Sequence, residues 1–380
     1  MYAAPLCLLA ALVSGILVAP GVGLPSGWLL LAGTVALVAA ASARGRVRVA
    51  LGMVALALLG CAVMTRALDG QRQSTIVRAA ARRAEVTAGA ELVDDPSSLK
   101  YSTSALLRVR FAGERRIVLA VTSGADGARL DALEAGDRIT VVGRLAPLRA
   151  TGFDDRARWR HAVARLTNVR VDAVHKPARL FAVANDLRDV IMRGTASLPP
   201  TTRSLVAGFL LGDTSGVPHE VVSSYRDAGL SHLLAVSGEN VAFVLALVAP
   251  GLRRLRLGAR TAAALVVVLL FAAMTRFEPS VLRASVMAAI ALLAVLAGRP
   301  VARLRVLVLA AIVLLLVDPF LLHSVGFLLS CGASAGIAIC EPWFARHIPG
   351  PSFVREPLAV PGQDIGDGSA HVKRRPPKLW

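Results

Sequence analysis

Two ionisable residues, Glu239 and Arg283, lie inside apolar runs in the second half of the sequence. Charged groups are costly in hydrocarbon, so they normally face a partner or a water-filled cavity. On continuous helices that start at His232 and Ser280, they would lie about 10 Å and 5 Å from the outer helix ends. This spacing predicts that they pair if the helices are neighbours, or that they line a polar path. For Arg283, snorkelling to the outer surface is the alternative.

Small and polar residues accompany these two charges. Ser237 and Gly238 lie in the middle of their run, where glycine permits close helix contact or a break that exposes backbone groups to a cavity. Asn240 could form a hydrogen bond in the same segment. Gly326 and Ser330 have the spacing of one helix face, which favours close packing through small residues.

Hydrolysis is a second interpretation of this segment. Ser237, His232 and His323 lie in or beside apolar runs, as an intramembrane serine protease would require. However, His232 is five residues from Ser237, off the i, i+4 helical spacing, and no oxyanion-hole pattern accompanies them. A small-solute transporter with discontinuous helices is a third interpretation. The sequence has no GxxxxGK[ST] phosphate loop, so energy for transport would have to come from a partner or from processing of the cargo.

Metal, disulfide and cofactor chemistry are not predicted. Cys7, Cys61, Cys331 and Cys340 lie in or at the edge of apolar segments, without CxxC spacing or a histidine cluster. We interpret them as thiols embedded in the membrane, and we expect no cofactor and no metal site.

The elements that must position these residues are predicted from hydropathy. Of the 380 residues, 55% are hydrophobic and the mean hydropathy is +0.61. Several apolar runs are long enough to cross about 30 Å of hydrocarbon. Apolar runs and charged stretches are segregated along the chain, which argues against a soluble globular protein. We predict a polytopic α-helical membrane protein with an inserted small OB-like β-barrel domain outside the cytoplasm.

Basic residues in the loops predict the orientation. Three transmembrane helices are expected in 1–66, and Arg44, Arg46 and Arg48 connect the second to the third. The positive-inside rule assigns this connection, and hence the N-terminus, to the cytoplasm. The basic loop clusters of the later helices then also lie in the cytoplasm. Much of the formal net charge of +18 is explained in this way, and a surface for nucleic acid or anionic lipid is the alternative.

A polar block at 67–178 predicts the inserted domain. Short β-like segments are expected at 106–111, 117–121, 139–145 and 168–174. Several short strands between Gly, Asp and Pro residues are typical of a small barrel, and the turn and strand from Glu134 to Leu145 resemble those of OB barrels.

Such barrels often bind single strands through a basic groove and aromatic rings. The possible DNA contacts are Arg108, Arg110, Arg115 and Arg116, and the candidate stacking rings are Tyr101, Phe111, Phe153 and Trp159. A solvated basic strand face is the alternative.

The remaining boundaries follow from the same pattern. A connector with interfacial helices is predicted at 179–230, a second membrane domain at 231–342, and a disordered, polar, Pro-rich basic tail at 343–380. The apolar runs of the second membrane domain lie at about 232–248, 261–275, 280–297, 304–317 and 321–340.

The segment Ala228-Gly-Leu-Ser-His-Leu-Leu-Ala-Val-Ser-Gly-Glu-Asn-Val resembles the signature of the ComEC competence family, whose usual form is close to aGlsHLLAiSGlHv. Further family elements occur in the right order: Leu210-Leu-Gly-Asp, Glu278-Pro-Ser-Val-Leu-Arg-Ala-Ser-Val-Met-Ala, Ala297-Gly-Arg-Pro, Asp318-Pro-Phe and Gly326-Phe-Leu-Leu-Ser. The resemblance covers about 206–336. One departure is Glu239-Asn240, where many members have Leu-His. The candidates for a DNA path or its structural motif are His232, Ser237, Gly238, Glu239, Asn240, Ser280, Arg283, Asp318, Gly326 and Ser330.

This resemblance implies a channel component that passes single-stranded DNA across the bacterial cytoplasmic membrane during natural transformation. Its implied partners are single-stranded DNA, membrane lipids, an external DNA receptor, a cytoplasmic ATPase and further copies of the chain. Family members usually continue into a metallo-β-lactamase-like domain, a proposed nuclease. Because 343–380 does not resemble it, we expect no enzyme activity. The alternative is that the chain is an inactive, truncated remnant of a DNA channel.

Overall fold

The structure is a computed structural model that describes residues 3–99, 102–150, 152–175, 177–230, 234, 236–299 and 301–347. Met1–Ala335 forms one compact unit and Gly336–Trp380 a second. His232, Tyr101 and most of the predicted tail lie outside the described residues.

The chain begins with three apolar helices, α1 (Ala3–Val18), α2 (Ser26–Ser42) and α3 (Gly45–Arg72). Helices α1 and α3 approach closely at two glycines. A Cβ atom on Gly15 would lie 2.0 Å from the carbonyl oxygen of Ala57, and one on Gly60 would lie 2.5 Å from that of Leu12. Because hydrocarbon gives no hydrophobic drive for helix association, such small residues allow the backbone contact that holds the pair together.

A closed barrel follows α3 and the short helix α4 (Thr75–Ala81). Its strands are β1 (Glu85–Leu92), β3 (Ser102–Phe111), β4 (Glu114–Thr122), β5 (Arg138–Ala146) and β6 (Ala162–His175), and β2 (Ser97–Leu99) flanks β3. The ring runs β1-β5-β6-β4-β3 and returns to β1, and β4 and β6 are parallel. Helix α5 (Gly124–Asp131) lies between β4 and β5, and α6 (Gly152–Arg158) precedes β6. The predicted barrel is confirmed, with β1 and β2 added to the expected strands.

Alternating residues of these strands fill the barrel. Leu107, Val118, Ile139 and Leu166 are buried inside it, and Leu130 of α5 closes one end. Side chains of successive strand residues point to opposite faces, so the intervening arginines remain on the outer surface.

Short helices connect the barrel to the second set of membrane helices. They are α7 (Arg179–Gly194), α8 (Pro200–Leu211) and α9 (His219–Asp227). Then come α10 (Gly238–Leu252), α11 (Leu257–Met274), α12 (Pro279–Leu296), α13 (Arg303–Val317), a 3₁₀ turn (Pro319–His323) and α14 (Val325–His347).

Within the part of the chain that the structure describes, four helical segments are long and apolar enough to cross a membrane: Ala4–Gly21, Gly45–Arg72, Leu257–Met274 and Pro279–Leu296. Shorter apolar helices lie at Ser26–Ser42, Gly238–Leu252 and Val325–Glu341. The protein is therefore a multi-pass membrane protein with an inserted barrel, as the hydropathy pattern predicts.

One helix starts later than expected. The depth of Glu239 was counted on a continuous helix from 232, with a break at Ser237-Gly238 as the alternative. Helix α10 begins at Gly238, and Ser237 has an extended backbone with ψ of 159°. Glu239 is therefore in the first helical turn, where it is exposed, instead of about 10 Å along a helix. The helical count from which the depth of Glu239 was inferred therefore does not apply, and its depth in the membrane stays a prediction.

Candidate functional site

The family motifs meet where α10 begins against α12. Ser280 Oγ donates a hydrogen bond of 2.7 Å to the carbonyl oxygen of Val236, which holds the extended segment on the first turn of α12. A Cβ atom on Gly238 would lie 2.8 Å from Nη2 of Arg283 and 2.9 Å from Cβ of Ala284. Only glycine fits at this contact without displacing a neighbour.

Arg283 is the central charge of this motif cluster. It is 6% exposed, Nε donates to Ser330 Oγ at 2.9 Å, and Nη1 lies 3.0 Å from Sδ of Met287. No carboxylate forms an ion pair with it among the described residues. The snorkelling alternative is wrong, because the side chain points into the protein instead of reaching the outer surface. Buried charges are normally paired, so a buried guanidinium group with these neutral partners is unusual.

The turn that ends α8 packs against the extended segment before α10, at Val236. Gly212 ends α8 in the left-handed region with φ of +78°, and a Cβ atom there would lie 2.8 Å from Cγ2 of Val236. Asn240 Nδ2 donates to the carbonyl oxygen of Phe209 at 2.8 Å. The Leu210-Leu-Gly-Asp turn and the signature segment are thus joined by direct contacts, although they are separated in the sequence.

Not every predicted residue joins this cluster. Glu239 forms no ion pair with Arg283, although α10 and α12 are neighbours. Gly326 is exposed, and a Cβ atom there would meet only Ser324 Oγ at 3.9 Å, so close packing through Gly326 is not seen among the described residues. The hydroxyl of Ser237 forms no hydrogen bond with a described residue. His232 lies outside the described residues.

A second polar cluster joins the barrel to the membrane helices, and the sequence analysis missed it. We call it the Asp95 latch: Asp95, Asn185, Arg188, Asp213 and Arg276. Asp95 follows β1, and both of its carboxylate oxygens accept hydrogen bonds from Nε of Arg276, at 2.9 Å and 3.0 Å. Nη1 of Arg276 also donates to Oδ1 of Asn185 at 2.7 Å. The latch therefore links the barrel, α7 and the loop between α11 and α12.

Arg188 extends the latch from α7. Its Nη2 lies 3.1 Å from Asp95 Oδ2 and 3.5 Å from Asp213 Oδ2, and its Nη1 donates to the carbonyl oxygen of Met274 at 2.7 Å. The side chains of Arg188 and Arg276 are each 7% exposed. Two nearly buried guanidinium groups thus share the carboxylate of Asp95, with Asp213 of the Leu-Leu-Gly-Asp turn as a further acceptor.

The backbone at Arg276 is unusual for its residue type. Arg276 has φ of +56° and Phe277 has φ of +54°, directly after the end of α11. Glycine is the usual residue at a left-handed helix end, since a side chain there adds steric cost. An arginine in this position is explained by the contact of its side chain with Asp95.

Neighbouring carboxyl groups of the barrel loop have opposite pKa shifts. Burial alone would raise the pKa of Asp95, but the hydrogen bond and charge of Arg276, with the charge of Arg188, bring it below 3.8. For Asp94, burial raises the pKa above 3.8, and the nearby Arg160 opposes this only in part. The site therefore favours a charged Asp95 and penalises a charged Asp94.

Asp318 belongs to a third contact between barrel and helices. Its Oδ1 accepts from the backbone N–H of Phe320 at 3.0 Å, and its Oδ2 lies 3.0 Å from Nε2 of His161. Trp159 stacks on His323 with ring centroids 3.7 Å apart and contacts Phe320 edge-on. Trp159 was a candidate for stacking on DNA bases, but its ring packs within the protein. His323 is likewise held by Trp159 and does not contact Ser237.

The predicted basic face of the barrel is partly neutralised. Arg115 lies 2.5 Å and Arg108 3.8 Å from the carboxylate of Glu91, and Arg116 lies 3.7 Å from that of Glu114. Arg110 is exposed and forms no ion pair among the described residues. Phe111 packs against the barrel core, and the side chain of Phe153 lies outside the described residues. Contact between these arginines and DNA remains a prediction.

The described residues contain no cluster of three or more His, Cys, Asp or Glu side chains that could hold a metal ion. No local pattern in the sequence identifies the latch residues as a cluster. Asp213 ends the Leu210-Leu-Gly-Asp motif, and Arg276 lies just before the motif that starts at Glu278.

Fold and site together define a polytopic membrane protein whose inserted barrel is fixed to its second set of helices. Residues 209–357 match the family described as Competence, competence protein. The chain is also similar to ComE operon protein 3 of Bacillus subtilis (strain 168), with 28% identity over 155 residues. This match covers 41% of the chain and 19% of the relative. No solved structure matches the chain. The two matches confirm the predicted resemblance to a ComEC-type competence protein.

Proposed function

We propose that this protein takes part in DNA uptake during natural transformation, as a channel component that passes single-stranded DNA across the cytoplasmic membrane. The observation that carries the proposal is Arg283, a buried guanidinium group without a carboxylate partner, at the point where the family motifs converge. A polyanion in a membrane needs positive groups that are not already neutralised by the protein.

The start of α10 adds to this positive site. The first N–H groups of a helix have no partner within the helix, and the helix dipole is positive at that end. Here Ser237 provides no side-chain cap, and Gly238 brings the helix start against Nη2 of Arg283. The positive end of the helix dipole and the guanidinium group therefore lie side by side, and a phosphate of the DNA backbone that reaches this cluster would be attracted by both.

The proposed orientation has the N-terminus in the cytoplasm and 67–230 outside. It is supported by the basic residues at the cytoplasmic ends of the helices: Arg44, Arg46, Arg48, Arg253, Arg254, Arg256, Arg260, Arg299, Arg303 and Arg305. Alkaline phosphatase fused after Gly113 should be active, and the same enzyme fused after Arg256 should be inactive. The reverse pattern would overturn the orientation.

The partners follow from the proposal. Single-stranded DNA would reach the barrel side from an external receptor, and a cytoplasmic ATPase would supply energy from the other side. Further copies of the chain could complete the channel.

The decisive experiment expresses the chain in a naturally competent bacterium that lacks its own ComEC-type protein. Membrane insertion is confirmed first, and labelled DNA in a nuclease-protected cytoplasmic pool is then measured. We expect uptake with the wild type, loss with Arg283→Ala, and little change with Arg203→Ala, which removes an exposed arginine of α8 outside the family motifs. Equal uptake by Arg283→Ala and the wild type would contradict the assigned role of Arg283, and no uptake by an inserted wild-type chain would contradict the proposed function.

A further variant separates this function from proteolysis. Ser237→Ala would abolish a protease that uses this hydroxyl as its nucleophile. A DNA channel should retain most of its uptake, because the Ser237 hydroxyl forms no hydrogen bond with a described residue.

A further inference from the structure

A cleft of about 400 Å³ opens between α3, the outer wall of the barrel and the end of α13. One wall is apolar and consists of Val63 and Ala67 of α3 with Val317 and Pro319. The opposite wall carries the side chains of Arg108, Arg115 and Arg116 from β3 and β4, and Arg66 of α3 also lines the cleft. The cleft therefore combines an apolar surface with a basic rim.

The depth of the cleft along α3 corresponds to the edge of the hydrocarbon. Nineteen residues separate Val47 from Arg66, a length of about 28 Å on a helix, which is close to the hydrocarbon thickness of about 30 Å. Arg46 and Arg48 mark one end of this span, and Arg66 marks the other. Val317, the last residue of α13, borders the same cleft and is 78% exposed.

The rim retains positive charge after its internal pairs are counted. Arg108 and Arg115 share the single carboxylate of Glu91. Arg116 approaches Glu114, whose carboxylate also accepts hydrogen bonds from the hydroxyl of Ser74 and the backbone N–H of Thr75.

The fourth guanidinium group comes from the helix. Arg66 is exposed and forms no ion pair with a described residue. Four guanidinium groups thus face two carboxylates at the boundary of the membrane.

Gly70 permits part of this arrangement. A Cβ atom on Gly70 would lie 3.3 Å from Nη1 of Arg116, so the guanidinium group rests directly on α3. The barrel arginines are in this way held at the helix surface, where lipid headgroups lie.

We propose that this cleft binds an anionic phospholipid in the leaflet on the barrel side. Its headgroup phosphate would be held by Arg66 and Arg116, and its acyl chains would run along the exposed apolar surface next to Val63 and Val317. Basic pockets beside transmembrane helices are suited to anionic headgroups, because attraction between the charges and burial of the acyl chains act together. A DNA strand has the phosphate but no acyl chain to cover the apolar wall. This site is independent of what passes through the helices.

The test measures lipid retained by the full chain. The purified protein is delipidated in neutral detergent, and binding of phosphatidylglycerol and phosphatidylcholine is compared by native mass spectrometry. We expect the wild type to prefer phosphatidylglycerol, and Arg66→Gln/Arg116→Gln to lose that preference by roughly tenfold or more, because each basic residue at the surface strengthens binding to anionic lipid. The matched control, Arg110→Gln/Arg170→Gln, removes two exposed barrel arginines that do not line the cleft and should keep the preference.

The outcomes that overturn the proposal are distinct. Equal binding by the cleft variant and the wild type, or equal loss in the control variant, would show that the cleft is not the site. Full displacement of phosphatidylglycerol by a short oligothymidylate would assign the cleft to nucleic acid. If the cleft variant fails to fold, a photoactivatable phosphatidylglycerol is crosslinked to the wild type instead. Crosslinks at 63–70 and 317–319 support the site, and crosslinks confined to other segments refute it.

Discussion

Arg276 and Asp95 are 181 positions apart, yet Nε of Arg276 donates to both carboxylate oxygens of Asp95, at 2.9 Å and 3.0 Å. Asp95 belongs to the barrel, and Arg276 lies in the short loop that leads into α12. The same helix carries Arg283 about two turns further on. The contact therefore fixes the barrel to the start of α12, the helix that carries Arg283.

Two adjacent substitutions test the Asp95 latch. Asp95→Asn removes the charge that Arg188 and Arg276 share, and it should lower the free energy of unfolding by about 2–4 kcal/mol, because two nearly buried cations lose their partner. Asp94→Asn should change it by less than about 1 kcal/mol, since burial already disfavours the charge of Asp94 and its partner Arg160 is about half exposed to solvent. The measurement is the thermal midpoint in detergent. Equal effects of the two variants would contradict a special role of Asp95.

Acid should weaken the latch in a defined range. The pKa of Asp95 in the folded state is below its ordinary value of 3.8, so its ionised form stabilises the fold at every pH above that value. This contribution is lost as the pH falls from about 3.8 through the folded-state pKa. The difference in thermal midpoint between the wild type and Asp95→Asn should be constant from pH 7 to about pH 5 and then shrink toward zero. A difference that stays constant below pH 3 would rule out this linkage.

A glycine substitution separates the strain at Arg276 from its ion pair. Arg276→Gly relieves a left-handed backbone that costs roughly 1 kcal/mol, but it removes the contact with Asp95, so we expect a net loss of stability. Ala112 also has a positive φ, of +48°, but its side chain is an exposed methyl group. Ala112→Gly should therefore raise the thermal midpoint or leave it unchanged. A gain in both variants would mean that the ion pair contributes nothing.

The contact at Gly238 should be essential for uptake. Gly238→Ala would bring a methyl group to within 3 Å of Nη2 of Arg283 and Cβ of Ala284, so α10 or α12 must shift. We expect at least a tenfold fall in nuclease-protected DNA, which corresponds to a perturbation of about 1.4 kcal/mol at the site. Gly251→Ala is the matched control near the other end of the same helix, because nothing lies within 4 Å of its added methyl group. Similar uptake by both variants would refute the importance of this contact.

The class of fold and the location of the motifs can be predicted from the amino-acid sequence alone. Apolar runs in 3–19 and 280–297 are long enough to span hydrocarbon, and this property depends on composition and length alone. The short alternating segments of 67–178 likewise indicated a barrel, because alternation reflects an inner and an outer strand face. The motif around Ser237 and Gly238 also identified the right segment.

Which residues are in contact depends on how the helices and the barrel pack together. Asp95 and Arg276 are joined by the docking of the barrel, and no local pattern indicates a pair so far apart in the sequence. Helix α10 begins at Gly238, where it lies against α12, and this places Glu239 in the first helical turn. Trp159 is of a residue type that can stack on DNA bases, but in the structure its ring stacks on His323. Local periodicity depends on nearest neighbours in the chain, whereas these contacts depend on how separate elements are brought together.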